Sequence, residues 1–171
     1  MALLSDDERL TGWMREHGRA VRGFLLAMVR REDLADDLKQ EVFCRAWQAR
    51  AAYSEKGSSL AYLLTIADRL VCDWYRRHEM EKNLDEESWK RHEPRSPLPE
   101  PPHTAATSEQ VQRLAVALDR VSPIQRRVLL LRYYGQMSFA QIAEATECPL
   151  NTTLSHCRRA LETLRKLLCS E

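Results

Sequence analysis

The chain has 171 residues, of which 44% are hydrophobic and 30% charged, and its formal net charge is +1. This composition is typical of a globular protein, and it excludes both a disordered chain and a polycation that coats nucleic acid by overall charge. No segment approaches the ~18 continuous apolar residues of a membrane-spanning helix, and no charged stretch followed by an apolar run opens the chain. We therefore expect a cytoplasmic protein of one or two small domains, without membrane insertion.

A bundle of three or four helices is predicted for residues 1–80. The first helix follows a capping-box pattern at Ser5–Glu8. Its apolar residues recur at three-to-four spacing, namely Leu10, Trp13, Met14, Val21, Phe24, Leu25 and Met28. The second helix covers about residues 33–51 and the third begins at Ser58 or Ser59, each with an apolar face of the same period. Trp74 is assigned to the apolar face of the third helix, with contact to DNA as the alternative.

Residues 81–107 are predicted to be a linker. They contain five of the seven prolines and few residues able to form a core, so they cannot bury enough apolar surface to fold alone. Fully extended, they could reach roughly 90 Å, whereas two turns of B-DNA span about 70 Å. The linker could therefore hold two DNA-binding modules on separate stretches of one duplex.

Four helices are predicted after the linker. The first covers residues 108–120, and the second opens at Ser122-Pro123 with proline in the first helical position. The last two form a helix-turn-helix, whose first helix starts at a capping box made by Ser138 and Gln141. Because no segment alternates with period two, the predicted fold is all-α, with two small helical domains.

The last predicted helix, about residues 150–168, has the character of a helix that enters the major groove of DNA. Four leucines are assigned to its inner side: Leu154, Leu161, Leu164 and Leu168. Its outer side then carries Asn151, Thr152, Ser155, His156, Arg158 and Arg159. These residue types hydrogen-bond to base edges and phosphates. Residues 108–171 also hold the basic excess of the chain, a net charge of +3, as a DNA-binding part requires.

Little in the sequence points to a metal, a cofactor or a reaction. The five cysteines form no C-x-x-C pair, and Cys148, His156 and Cys157 lack the ligand spacing of a zinc finger. Cys44 and Cys72 fall within amphipathic helices and are expected to be buried thiols. No nucleophile–base pair or phosphate-binding glycine loop is evident. We expect no metal, no cofactor and no enzymatic activity.

Four blocks of sequence give a more specific indication. They are DDLKQEVFCRAW (36–47), LLTIADRLVCDWYRR (63–77), LDRVSPIQRRVLLLRY (118–133) and MSFAQIAEATECPLNTTLSHCRRA (137–160). In this order, with a linker between the second and third, they closely resemble the extracytoplasmic-function (ECF) sigma factors of bacterial RNA polymerase. The resemblance implies a region 2-like domain at 1–80 and a region 4-like domain at 108–171.

The resemblance also implies partners. A sigma factor binds core RNA polymerase, on its largest and second-largest subunits, and directs it to promoter DNA. Its N-terminal domain would bind the single-stranded −10 element and its C-terminal domain the double-stranded −35 element. Sigma factors of this type are commonly held inactive by an anti-sigma factor, which is a further expected partner.

Site residues follow from the same resemblance. Asp37, Gln40 and Glu41 share one side of the second helix and resemble the face that docks on the clamp helices of the largest subunit. A merely solvated acidic face is the alternative. The −10 element is assigned a set in which cations alternate with aromatic rings, as single strands require. That set is Tyr53, Ser54, Arg69, Asp73, Tyr75, Arg76 and Arg77, in which the loop from Tyr53 resembles a segment that captures a flipped base. The −35 element is assigned the six outer residues of the last helix.

Five positions depart from the family's common pattern. Asn151 stands where glycine is usual, and Leu154 and His156 stand where basic residues are frequent. Arg69 replaces a familiar asparagine and Tyr62 a familiar tryptophan. A different class of protein also fits the helix-turn-helix: a stand-alone transcriptional regulator with an N-terminal sensing or dimerising bundle. Such a regulator would bind operators as a dimer without polymerase.

Overall fold

The computed structural model describes residues 6–53, 58–82 and 105–169. Over these residues the regular structure is helical throughout, without a strand, so the all-α prediction is confirmed. The helices are α1 (Asp6–Val29), α2 (Glu32–Gln48), α3 (Ser59–Lys82), α4 (Ala105–Asp119), α5 (Pro123–Tyr133), α6 (Phe139–Thr146) and α7 (Leu150–Leu168), with one 3-10 turn at Arg50–Ala52. They fall into two compact units, α1–α3 and α4–α7.

Residues at both ends of the predicted linker are helical. Residues 81–82 continue α3, and residues 105–107 begin α4, while residues 83–104 lie outside the described part of the chain. Ser5, which was to cap α1, and Ser54 lie outside it as well. Among the described helices, none is long and apolar enough to cross a bilayer.

The first unit packs three helices around one core. Phe24 and Leu25 of α1, Val42 of α2 and Leu63 and Leu64 of α3 are fully buried, as the three-to-four spacing predicts. Each helix thus turns one apolar stripe inward and leaves its other side to solvent.

Four residues named here are less buried than predicted. Met14 is exposed rather than part of the core, and Trp74 is only half-buried. The thiol of Cys44 is exposed and that of Cys72 half-buried, although both were expected inside. Ala46 and Phe43 fill the inner side of α2 near Cys44, which leaves the thiol on the opposite side.

In the second unit, the local signals of the sequence are confirmed. Pro123 occupies the first turn of α5. At the start of α6, the backbone N–H of Gln141 donates to the Ser138 hydroxyl at 3.2 Å, and the Ser138 N–H donates to the Gln141 amide oxygen at 2.8 Å. Glu147 takes a left-handed conformation with φ 54°, which ends α6 and lets Pro149 precede α7.

The inner side of α7 differs from the prediction. Its buried residues are Thr153, Cys157, Ala160 and Leu164, whereas Leu154 and Leu161 are both 41% exposed. α7 packs against α4, α5 and α6, and small side chains on its inner side allow those helices to approach closely. The larger leucines are displaced to the flank, so two of the four inner assignments are wrong.

Candidate nucleic-acid and polymerase interfaces

The three residues predicted on α2 lie on one exposed face. Asp37, Gln40 and Glu41 are all exposed, and Cys44 lies beside them one turn later. Arg45 donates from Nε to the Glu41 carboxylate at 2.8 Å. The opposite side of α2 is buried, whereas this α2 face, made of Asp37, Gln40, Glu41 and Cys44, is exposed.

Three aromatic rings from separate elements of the first unit meet at one place. The ring centroid of Tyr53 lies 4.8 Å from that of Trp13 and 4.8 Å from that of Tyr62. Arg9 covers the group, with its guanidinium carbon 5.5 Å from the centre of the Tyr53 ring. Edge-on and tilted ring contacts, together with the overlying cation, hold Tyr53 in place at the start of the loop predicted to capture a base.

A cavity of about 330 Å³ opens beside these rings. We call it the aromatic pocket; its lining is Arg45, Ala49, Tyr53, Tyr62, Ile66 and Arg69. Burial raises the pKa of Tyr62 above its usual value, so its phenol is neutral at physiological pH. The pocket unites Tyr53 with Arg69, two predicted residues that are far apart in sequence. Aromatic walls with guanidinium groups suit a planar base.

A polar row continues from the pocket along α3. Arg69, Asp73 and Arg76 follow Tyr62 at spacings that keep them on one side of the helix. Arg76 lies 3.6 Å from the Asp73 carboxylate. Arg77, also exposed, donates to the Asp73 carbonyl at 3.3 Å. Four residues predicted to bind the −10 element therefore lie together on α3. They are Arg69, Asp73, Arg76 and Arg77.

Tyr75 lies on another side of α3. Its hydroxyl donates to the Met28 carbonyl of α1 at 2.8 Å, which gives it a role in packing α3 against α1. Its side chain is 39% exposed, so only the ring is available to a ligand. Trp74 stacks on His78, with ring centroids 4.4 Å apart and planes 22° apart.

On α7, five of the six predicted residues share the outer side. Asn151, Thr152, Ser155, Arg158 and Arg159 are exposed. The Ser155 hydroxyl donates to the Asn151 carbonyl at 2.9 Å. Arg158 pairs with Glu162 at 3.4 Å; for Arg159, no ion pair occurs with any residue that the structure describes. Hydroxyl, amide and guanidinium groups are thus presented along one surface.

His156 departs from the predicted arrangement. It is half-buried, and its Nδ1 atom is buried without a hydrogen-bond partner among the described residues. Its position in the helical period lies between the outer side and the buried side, so it does not face outward with the other five. The described residues also include no group of three or more His, Cys, Asp or Glu side chains that could hold a metal ion.

Comparison with known proteins identifies the two units. Residues 13–80 match Sigma-70 region 2, and residues 112–164 match Sigma-70, region 4. The ECF RNA polymerase sigma factor SigK of Mycolicibacterium vanbaalenii is 27% identical over 167 residues, 95% of this chain and 83% of that protein. The ECF RNA polymerase sigma factor SigX of Bacillus subtilis is 28% identical over 145 residues, 84% of this chain and 75% of that protein. The chain belongs to the sigma-70 family, as an ECF sigma factor.

This sigma factor binds core RNA polymerase and directs promoter recognition and transcription initiation. Members of the family are initiation factors rather than enzymes, and the stand-alone regulator is not favoured.

Solved structures support the fold. The sigma factor RpoE of Bartonella quintana, in complex with the anti-sigma factor NepR, is 21% identical, with a TM-score of 0.76 over 94% of this chain and 96% of that one. CnrH, in complex with the cytosolic domain of CnrY, is 20% identical, with a TM-score of 0.66 over 96% of this chain and 90% of that one.

Proposed function

We propose that this sigma factor uses three surfaces in transcription initiation. The α2 face docks on the clamp helices of the largest polymerase subunit. The aromatic pocket and the polar row of α3 bind the single-stranded −10 element. The outer side of α7 reads the double-stranded −35 element. The observation that carries this assignment is the aromatic pocket, because it joins Tyr53 and Arg69 around a cavity beside the polar row of α3.

The aromatic pocket suits a base that has left the DNA stack. Stacking of one base on an aromatic side chain contributes about 1–3 kcal/mol, and a flipped base costs a few kcal/mol to extrude. A cavity of about 330 Å³ is at the lower end of the range for small-ligand sites. Arg69 at the rim and Arg76 along the row can meet the phosphates that flank such a base.

The α2 face suits a basic protein surface. Its acidic residues are exposed, and the apolar residues of α2 are buried in the core of the unit. Exposed charges of one sign steer association and set its orientation more than they add affinity. Its partner on polymerase should therefore carry Lys or Arg opposite Asp37 and Glu41.

The outer side of α7 suits the major groove. Asn151 and Thr152 stand in its first turn, where backbone N–H groups and short side chains can hold a phosphate. Arg158 and Arg159 follow two turns later, and arginine is the usual bidentate partner of guanine. Because His156 is turned aside, we assign sequence reading to Ser155 and the two arginines.

An anti-sigma factor is the third partner that we propose. RpoE and CnrH, which share this fold, were solved with NepR and with the cytosolic domain of CnrY, respectively. A protein of that class would compete with core polymerase for this chain.

Promoter opening by reconstituted holoenzyme tests the proposal. We expect Arg69→Ala to reduce opening of the −10 element, measured with 2-aminopurine in the non-template strand, without loss of core binding. Tyr75→Phe is the matched control on α3, since it removes only the hydroxyl bound to Met28. Unchanged opening by Arg69→Ala would contradict the role of the pocket. Sharp operator binding by the free chain as a dimer would instead support a stand-alone regulator.

A further inference from the structure

An exposed leucine borders the polar outer side of α7. Leu154 is 41% exposed, three residues after Asn151 and four residues before Arg158. These spacings place the three side chains next to one another on the helix surface. The buried residues of α7 lie on its other side, so Leu154 keeps a substantial exposed surface for a ligand.

Leu154 lies near the N-terminal end of α7, the part of a recognition helix that contacts bases. It is the fifth residue of a helix that begins at Leu150, and the N-terminal residues of a recognition helix are those that reach base edges. Helical side chains lean toward the N-terminus of their helix, which brings Leu154 closer to that end. A leucine can neither hydrogen-bond a base nor pair with a phosphate, so its only contact in a groove is apolar.

We propose that Leu154 contacts the C5-methyl group of a thymine in the −35 element and thereby selects an A·T pair at one position. Among the groups that base pairs present in the major groove, this methyl is the apolar one, and apolar side chains recognise it. The inference rests on the proposed reading of −35 DNA by α7. It adds a specificity-determining residue to Ser155 and the two arginines.

Deoxyuridine, which differs from thymidine only by the missing methyl group, provides the test. Holoenzyme is bound to a series of promoters in which each −35 thymine on either strand is replaced singly by deoxyuridine. For the unmodified sigma factor we expect a loss of about fourfold in affinity at one position, the factor for one buried methyl. For holoenzyme with Leu154→Ala, that ratio should fall to about one. Leu161→Ala is the matched control, because Leu161 is equally exposed but lies roughly 10 Å further along the helix. It should keep the fourfold ratio.

Two results would overturn the inference. One is a deoxyuridine effect that persists unchanged in Leu154→Ala, and the other is no effect of deoxyuridine at any −35 thymine. A parallel measurement of −35 binding by holoenzyme with Arg159→Ala distinguishes these two results from a failure of the proposed function. If Arg159→Ala weakens −35 binding while deoxyuridine has no effect, only the role of Leu154 is lost. If neither change affects binding, α7 does not read the −35 element.

Discussion

Arg22 of α1 binds Asp36 of α2 in a two-pronged ion pair. The guanidinium Nε lies 2.7 Å from one carboxylate oxygen, and a terminal nitrogen lies 3.0 Å from the other. The hydrogen bonds from Arg22 hold the pKa of Asp36 below its usual value, with a smaller contribution from the charge of Lys39. Asp37, the next residue, carries the same carboxylate but lies exposed on the α2 face. Of these two adjacent acids, Asp36 therefore stabilises the fold, whereas Asp37 belongs to the proposed polymerase contact.

We expect Asp36→Asn to destabilise the first unit by about 0.5–1 kcal/mol, a range that allows for the solvent exposure of the pair. The free energy of unfolding can be followed by tryptophan fluorescence, because all four tryptophans lie in residues 1–96. Asp37→Asn is the matched control and should leave that free energy unchanged. Equal destabilisation by both variants would contradict the division of roles between Asp36 and Asp37.

The effect of Asp36→Asn should depend on pH. The folded state lowers the pKa of Asp36, so the carboxylate stabilises the fold fully above its unfolded pKa of about 4. This contribution is lost as pH falls through that value toward the lower folded pKa. The difference in unfolding free energy between the native chain and Asp36→Asn should therefore be constant above about pH 5 and shrink below about pH 4. A difference that grew on acidification would contradict the ion pair.

Reversing the charges of the α2 face tests docking on polymerase. We expect the double variant Asp37→Lys, Glu41→Lys to weaken binding to core polymerase by at least about tenfold, because like charges would then face a basic partner. Both side chains are exposed, so the fold should persist. Glu16→Lys, a charge reversal at an exposed position of α1, should bind normally. The measurement is a titration of core polymerase with labelled sigma factor, and normal binding by the double variant would exclude this face.

The exposed thiol of Cys44 offers an independent test of the same face. It lies one turn from Gln40 and Glu41, so a maleimide-linked polyethylene glycol attached there should block docking. Treatment should abolish co-elution of the native chain with core polymerase, whereas treated Cys44→Ala should still co-elute. That variant retains Cys72, Cys148 and the other two cysteines, and so controls for modification elsewhere. Equal loss of co-elution in both proteins would show that the effect does not arise at Cys44.

Local chemistry determined which parts of the fold the sequence could predict. The capping box at Ser138 and Gln141 and the proline that opens α5 depend on residues three positions apart or fewer, and both are confirmed. The prediction of the inner side of α7 was wrong because hydrophobicity favours leucine over threonine or alanine at core positions. The residues that face inward are instead determined by the packing of α7 against three neighbouring helices, which Thr153 and Ala160 permit. No single helix carries that information.

The aromatic pocket was only partly predictable for a related reason. Tyr53 and Arg69 were assigned to the −10 element, but the lining residues Arg45, Tyr62 and Ile66 were not. The pocket forms only in the tertiary structure, where the 4.8 Å contacts of Tyr53 join rings from α1 and α3. The departure of position 62 from tryptophan to tyrosine was visible in the sequence, and it was the one clue to the wall of the pocket.

Among the outer residues of α7, we expect base reading to depend most directly on Arg159. Unlike Arg158, which pairs with Glu162, its guanidinium has no ion-pair partner among the described residues. We expect Arg159→Ala in holoenzyme to cost about 1–3 kcal/mol at one −35 base pair and to relax specificity there. The measurement is binding to a panel of promoters that carries every single base-pair change in the −35 element.

Arg165→Ala is the control for the Arg159 experiment, because Arg165 is also exposed but lies roughly 9 Å further along α7. Its loss should leave the base preferences intact. A uniform weakening by Arg159→Ala across all sequences, with the salt slope of binding reduced by about 0.9, would instead mean that Arg159 holds a phosphate. Base reading would then be left to Arg158 and Ser155.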